Sequence, residues 1–150
     1  MPNRIFRPAT PADEPGWRSL WAENLAHNTT TLPDETTTLT WSRILNPTIP
    51  MLCHLAEQDG RIVGFATAIL HLGTWRRAPI CFLEDLYVTP SHRRQGIART
   101  LIQSLAALPE ISQCSGLYWD TETNNPARPL YDSLTTPISY IRYRLMDRTP

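Results

Sequence analysis

The stretch Leu86-Tyr87-Val88-Thr89-Pro90-Ser91-His92-Arg93-Arg94-Gln95-Gly96-Ile97-Ala98 decides how this 150-residue chain is read. An apolar run ends at Val88, Thr89-Pro90-Ser91 breaks it, and a basic link leads to a glycine. Beyond Gly96, the residues Ile97, Ala98, Leu101, Ile102, Leu105 and Ala106 recur at helical spacing until Pro109. The pattern predicts a strand, a short polar loop and an amphipathic helix. Amides in the first turn of a helix have no carbonyl partner in the helix, and the aligned peptide dipoles favour an anion there. Gly96 removes the side chain where a ligand would approach the backbone, and Ala98 stays small. Arg93 and Arg94 can make charge-assisted bonds to phosphate oxygens. The alternative is an exposed basic turn that does no more than cap a helix. The loop alone does not separate the two.

Outward from this stretch, residues 80–88 read as the strand that enters it. Residues 51–56 and 61–71 read as two strands joined at Asp59-Gly60, a dipeptide suited to a tight hairpin. Residues 73–79 form a loop holding Trp75 and two arginines. Toward the N-terminus, 5–7 is a short strand, and Trp17, Leu20, Trp21 and Leu25 mark one face of a helix over 13–27. A second helix starts at Pro33-Asp34-Glu35 and stops at Asn46-Pro47. Toward the C-terminus, 116–121 reads as a strand, 126–134 as a short helix and 138–145 as a last strand with alternating arginines. The order is roughly β-α-α-β-β-β-α-β-α-β. This predicts an α/β (α+β) fold with a mixed central sheet flanked by helices. No repeat or linker divides it, so residues 1–150 read as one domain.

Composition narrows the function classes. A hydrophobic fraction of 41% and a charged fraction of 19% are ordinary for a globular domain. Lys plus Arg and Asp plus Glu are both 14, so no net field draws in nucleic acid or a membrane surface. No apolar run is long enough to span a bilayer, and residues 1–10 lack the apolar core of a signal peptide. The expected location is cytoplasmic, and the Asn28-Thr29-Thr30 sequon then has no use. Cys53 and Cys81 stand in apolar runs, and the three cysteines include no C-x-x-C pair. The four histidines are scattered, so no metal site is expected.

Taken together, Arg93-x-x-Gly96-x-Ala98, the apolar strand ending Leu86-Tyr87-Val88 and the amphipathic helix resemble the pyrophosphate loop of the GNAT N-acetyltransferase superfamily. A second segment, Asn124-Asn125-Pro126-Ala127-Arg128-Pro129-Leu130-Tyr131, resembles the family's N-x-x-A-x-x-L-Y motif after the fifth strand. The resemblance implies acetyl-CoA as cosubstrate, with the backbone of Arg93, Arg94, Gln95, Gly96, Ile97 and Ala98 around its pyrophosphate. It further implies that the backbone of Leu86, Tyr87 and Val88 pairs with the peptide-like pantetheine arm. Asn124 is implied to contact the coenzyme or to cap the helix entry. Two departures stand out. Pro129 falls late in the first helical turn, and Leu134-Thr135-Thr136-Pro137-Ile138 replaces the glycine-aromatic pair usual after the motif. The second puts the last strand in question.

Acetyl transfer to an amine needs a neutral amine, a polarised thioester and a proton for the departing thiolate. Glu84 and Asp85 interrupt the apolar run of 80–88. Glu84 is the expected general base, with Asp85 as the fallback and pairing with an arginine as the structural alternative. The resemblance implies that Tyr131 is the general acid, unless it only packs at the helix base. Trp17 and Trp21 are expected in the core, while Trp41 and Trp75 are candidates for an acceptor pocket. Glu23, Asp34 and Glu35 either attract a cationic amine or are simply solvated. The leading expectation is N-acetylation of a small-molecule amine. Acetylation of a protein lysine or N-terminus, or a non-catalytic acyl-CoA-binding role, are the alternatives. Family members are often dimers, which makes a homodimer an expectation carried by resemblance alone.

Overall fold

In the computed structural model, which describes residues 1–147, the chain forms two units, Met1–Trp119 and a second that begins at Asp120. The first is organised by the hairpin foreseen at Asp59-Gly60, where both residues take positive φ, 50° and 79°. That geometry matches the right-handed twist of the flanking strands. It joins β2 (Met51–Gln58) to β3 (Arg61–His71). β1 (Arg4–Pro8) pairs with β2 and β4 (Ile80–Val88) with β3, all antiparallel. A helical crossover then brings β5 (Leu117–Tyr118) back parallel to β4, giving the order β1-β2-β3-β4-β5.

Strand alternation gives this sheet two different faces. Cys53, Leu55, Phe65 and Tyr87 pack with Trp17, Leu20 and Trp21 of α1 (Glu14–His27) and with Trp41 of α2 (Asp34–Leu45). Trp17 stacks on Trp21 with ring centroids 5.2 Å apart, and Trp41 lies 4.8 Å from Trp17. Trp41 is therefore core and not pocket lining, because α2 turns it onto Trp17. Trp75, on the loop between β3 and β4, is 97% exposed. The opposite face bears Gly64, Ala66 and Ala68, and α3 (Ile97–Ala106) lies on β3 there with Leu101 buried. A Cβ at Gly64 would stand 2.9 Å from the Tyr87 carbonyl oxygen and 3.3 Å from Leu101 Cδ1. Only glycine lets strand and helix approach so closely.

A short helix, α4 (Pro109–Ser112), precedes β5. β5 has two residues where 116–121 was expected, because polar Asp120-Thr121-Glu122 supplies nothing to bury. Cys53 and Cys81 are buried free thiols, and burial raises both pKa values, that of Cys81 to about 11. Arg7 binds Asp13 at 2.8 Å and Glu57 at 2.7 Å, tying β1 to the start of α1 and to β2. Its guanidinium holds the Asp13 carboxyl well below the usual carboxylate range.

The second unit contains α5 (Arg128–Leu134). Pro129 is accommodated at its second position, where an amide needs no helical partner. The expected last strand over 138–145 does not form among the described residues. Ile138, Tyr140, Ile141, Tyr143, Leu145 and Met146 are exposed there. Ile141, Tyr143 and Leu145 share one parity and Arg142 and Arg144 the other, so the segment has the alternation of a strand but no strand beside it among the described residues. A strand needs a neighbouring ladder for its backbone groups, and none is offered to this segment among the described residues. Arg142 pairs with Asp120, and Arg144 with Asp147 at 2.9 Å.

Candidate active site

The loop after β4 has the form of an anion cradle. Thr89 N–H donates to the Val63 carbonyl at 3.0 Å, and Pro90–His92 makes one 3₁₀ turn. Arg94 and Gly96 then take left-handed φ, 63° and 79°. Gly96 is the N-cap of α3, whose first backbone bond runs from Thr100 N–H to the Gly96 carbonyl at 3.1 Å. The amides ahead of that bond lie outside the helical ladder. No heavy atom stands within 4 Å of where a Gly96 Cβ would be, so the space before the helix end is open. This opening fits a pyrophosphate held by backbone N–H groups. Ile97 is 1% exposed, so its side chain serves the core and only its backbone is offered to a ligand.

Two arginines shape the loop in ways the sequence did not show. Arg93 Nε donates to the Val88 carbonyl at 2.8 Å, and its guanidinium lies 5.4 Å from the Tyr87 ring centroid. Part of Arg93 is thus committed to the strand end, whereas Arg94 is exposed. From β1, Arg4 donates to the Gln95 carbonyl at 3.2 Å and to its side-chain oxygen at 3.0 Å. Nothing in the motif pointed to Arg4, since the contact depends on β1 lying beside β2.

The strand edge next to the loop is open. β5 pairs only with Cys81 and Phe82, so no strand among the described residues covers the β5 side of 83–88. An extended, amide-bearing ligand fits such an edge. On β4 itself, the pairing with β3 skips Glu84, because Thr67 faces Asp85 and Ala68 faces Leu83. This bulge separates two carboxylates adjacent in sequence. Glu84 is exposed, while Asp85 is partly buried on the face shared with Thr67 and Tyr87. Burial and the nearby Glu84 charge push the Asp85 carboxyl up to about 7, against a small opposing effect of the Thr67 hydroxyl. That hydroxyl makes no hydrogen bond of full geometry.

In the second unit, Tyr131 is half-buried on α5, and burial raises its pKa. Asn124 is exposed. The helix entry is shaped instead by Asn125, whose Oδ1 accepts from Ala127 N–H at 2.8 Å. Among the other acidic candidates, Asp34 pairs with Arg18 at 3.3 Å, Glu35 is exposed, and Glu23 is bonded to the end of β4. No group of three His, Cys, Asp or Glu among the described residues is placed to hold a metal ion, and none of their helices is long and apolar enough to cross a membrane.

An open space at a helix start, beside a strand edge left uncovered beyond Phe82, is an arrangement that fits a coenzyme-A-dependent acyltransferase. The chain belongs to the acetyltransferase (GNAT) family, whose model matches residues 16–134, and it is an acetyl-CoA-dependent N-acetyltransferase. It is 29% identical over 143 residues to the D-amino-acid N-acetyltransferase HPA3 of Saccharomyces cerevisiae, across 93% of this chain and 89% of that one. Over 74 residues it is 31% identical to the aminoglycoside N(6')-acetyltransferase type 1 of Salmonella typhimurium, covering 47% and 51% of the two chains. Among solved structures, AAC(6')-Iy in complex with a CoA-S-monomethyl-acetylneamine bisubstrate analogue superposes with a TM-score of 0.82 at 22% identity, over 97% of this chain and 99% of that one.

Proposed function

We propose that this enzyme acetylates the primary amine of a small molecule, with Asp85 as general base and Tyr131 as general acid. The observation that carries the reading is Asp85, a partly buried carboxyl raised to about 7 on β4, beside an open strand edge. Acetyl-CoA supplies an activated thioester. For the protein's part, the loop of Arg93 to Ala98 holds the pyrophosphate through backbone amides, and the backbone of Leu86, Tyr87 and Val88 aligns the pantetheine arm. An alkylammonium has a pKa of about 10.4 and must lose a proton before it can attack. A carboxylate with a pKa near the working pH takes that proton more effectively than an ordinary Asp. Glu84, solvated beside the bulge, becomes a surface charge that raises Asp85 in place of the base first expected.

Tyr131 keeps its proton because burial raises its pKa, which suits a donor to the departing thiolate. Its assignment rests on the N-x-x-A-x-x-L-Y motif. The relatives named for D-amino acids and aminoglycosides support a small-molecule acceptor. The family match runs through residue 120, which supports reading both units as one catalytic domain. A homodimer and a cytoplasmic location complete the proposal.

The test is release of free CoA from acetyl-CoA across small amines and basic peptides, with wild type, Asp85→Asn and Glu84→Gln. Small amines should be turned over preferentially. Asp85→Asn should lower kcat/KM by roughly 10²–10⁴-fold, and Glu84→Gln by far less. The reverse ranking of the two variants returns the base to Glu84, and preferential turnover of peptides overturns the acceptor class.

A further inference from the structure

Besides the packing of Tyr87 in the core and its ring contact with His27, the end of β4 is bonded to α1 through one carboxylate. Glu23, half-buried on α1, accepts hydrogen bonds from the Tyr87 hydroxyl at 3.2 Å and from the Thr89 hydroxyl at 2.9 Å. Tyr87 is the penultimate residue of β4, and Thr89 is the first residue of the loop. The Tyr87 ring carries the Arg93 guanidinium, and Arg93 in turn fastens the Val88 carbonyl. One carboxylate thus accepts from both the tyrosine beneath Arg93 and the hydroxyl at the start of the loop. Burial, followed by the Glu23 carboxylate, raises the Tyr87 pKa and keeps its hydroxyl a donor.

We propose that Glu23 is a positioning residue for coenzyme binding: it holds Tyr87 and Thr89 so that Arg93 and the Arg94-to-Gly96 turn keep the shape that receives a pyrophosphate. The proposal rests on the reading of that loop as the coenzyme site. Electrostatics makes it sharp. A carboxylate close to an anion site repels the anion, so a bystander Glu23 would weaken binding and its removal would tighten it. A positioning Glu23 has the opposite sign, because its removal frees both hydroxyls and the loop relaxes. The hydrogen bonds act over contact distance and are charge-assisted. The repulsion is screened by solvent around a half-buried group.

The experiment is calorimetric binding of CoA and acetyl-CoA to Glu23→Ala, Glu23→Gln, Tyr87→Phe and the Glu23→Ala/Tyr87→Phe double variant. Melting temperatures and the KM for the amine are measured alongside. Glu23→Ala should weaken CoA roughly 10- to 150-fold, the scale of losing a hydrogen bond to a charged group. The KM for the amine should stay where it was. Glu23→Gln keeps an acceptor oxygen and should recover most of the affinity. Tyr87→Phe should also weaken CoA, and the double variant should bind no more weakly than the worse single variant, since both break one chain of contacts. Wild-type or tighter CoA binding by folded Glu23→Ala overturns the proposal. So does a lower melting temperature with affinity unchanged. If Glu23→Ala does not fold, Thr89→Val replaces it: it removes one donor at constant shape and should weaken CoA, and unchanged affinity there refutes the idea. Gly96→Ala separates this inference from the one beneath it. If Gly96→Ala binds CoA normally, the loop reading fails; if it loses CoA while Glu23→Ala does not, only Glu23's role fails.

Discussion

Gly96 and Gly60 provide a matched pair for testing the coenzyme loop. Both have φ of 79°, and neither has a heavy atom within 4 Å of where a Cβ would stand. An alanine at either site therefore meets the same local cost, left-handed backbone without a steric clash, of about 1 kcal/mol. For a chain of this size that corresponds to about 3 °C in Tm, small against a total stability of about 5–15 kcal/mol, so both variants should fold. They differ in what the open space is for. At the hairpin tip it is solvent. Before α3, on the proposed reading of the loop, it is where the pyrophosphate approaches the first-turn amides, and a methyl there would obstruct it. Gly96→Ala should weaken CoA binding at least 10-fold by calorimetry, and Gly96→Val should abolish measurable binding while circular dichroism still reports the fold. Gly60→Ala should lose the same stability and no affinity. Equal CoA affinity in Gly96→Ala and Gly60→Ala would refute the claim that the space before α3 receives the ligand.

The other predictions follow from titrating groups and from Tyr131. Because Asp85 is raised to about 7, activity should climb as pH rises through that value, and the rise should vanish in Asp85→Asn. The same shift means that Asp85's contribution to stability is full below its unfolded pKa and lost as pH rises through its folded pKa, so Asp85→Asn should melt higher than wild type at about pH 8 and match it near about pH 4. Tyr131→Phe should lower kcat roughly 10- to 1,000-fold and leave CoA affinity unchanged, as expected for a contact made only in the transition state. Normal turnover would make Tyr131 a packing residue. His54 is 3% exposed with neither ring nitrogen bonded, and burial lowers its pKa. The unfolded chain therefore takes up a proton that the fold refuses, and stability should decline as pH falls below about 6.5. His54→Leu should flatten that limb of the pH–Tm curve, and an unchanged limb would assign the loss to other groups.

Local chemistry in the sequence was sufficient for much of this protein. Asp59-Gly60 makes its hairpin because turn φ angles are a property of two residues. Ile97 to Ala106 makes its helix because apolar spacing of three and four is read within one element. The Gly96 cradle follows from both, and the two motifs were enough to name the family. What depended on strand register was not legible. Glu84 and Asp85 are equivalent on the chain, and only the bulge opposite Thr67 and Ala68 makes one solvated and the other partly buried. Trp41 and Trp75 were both candidates for an acceptor pocket, yet α2 delivers one to Trp17 and the β3–β4 loop leaves the other in water. Arg4 and Glu23 reach the coenzyme loop from elements far away in sequence, through contacts set by which strand lies beside which and which face α1 covers. The strand expected over 138–145 failed for the same reason: its alternation is local, but the neighbouring strand that would pair with it is not written into the segment itself.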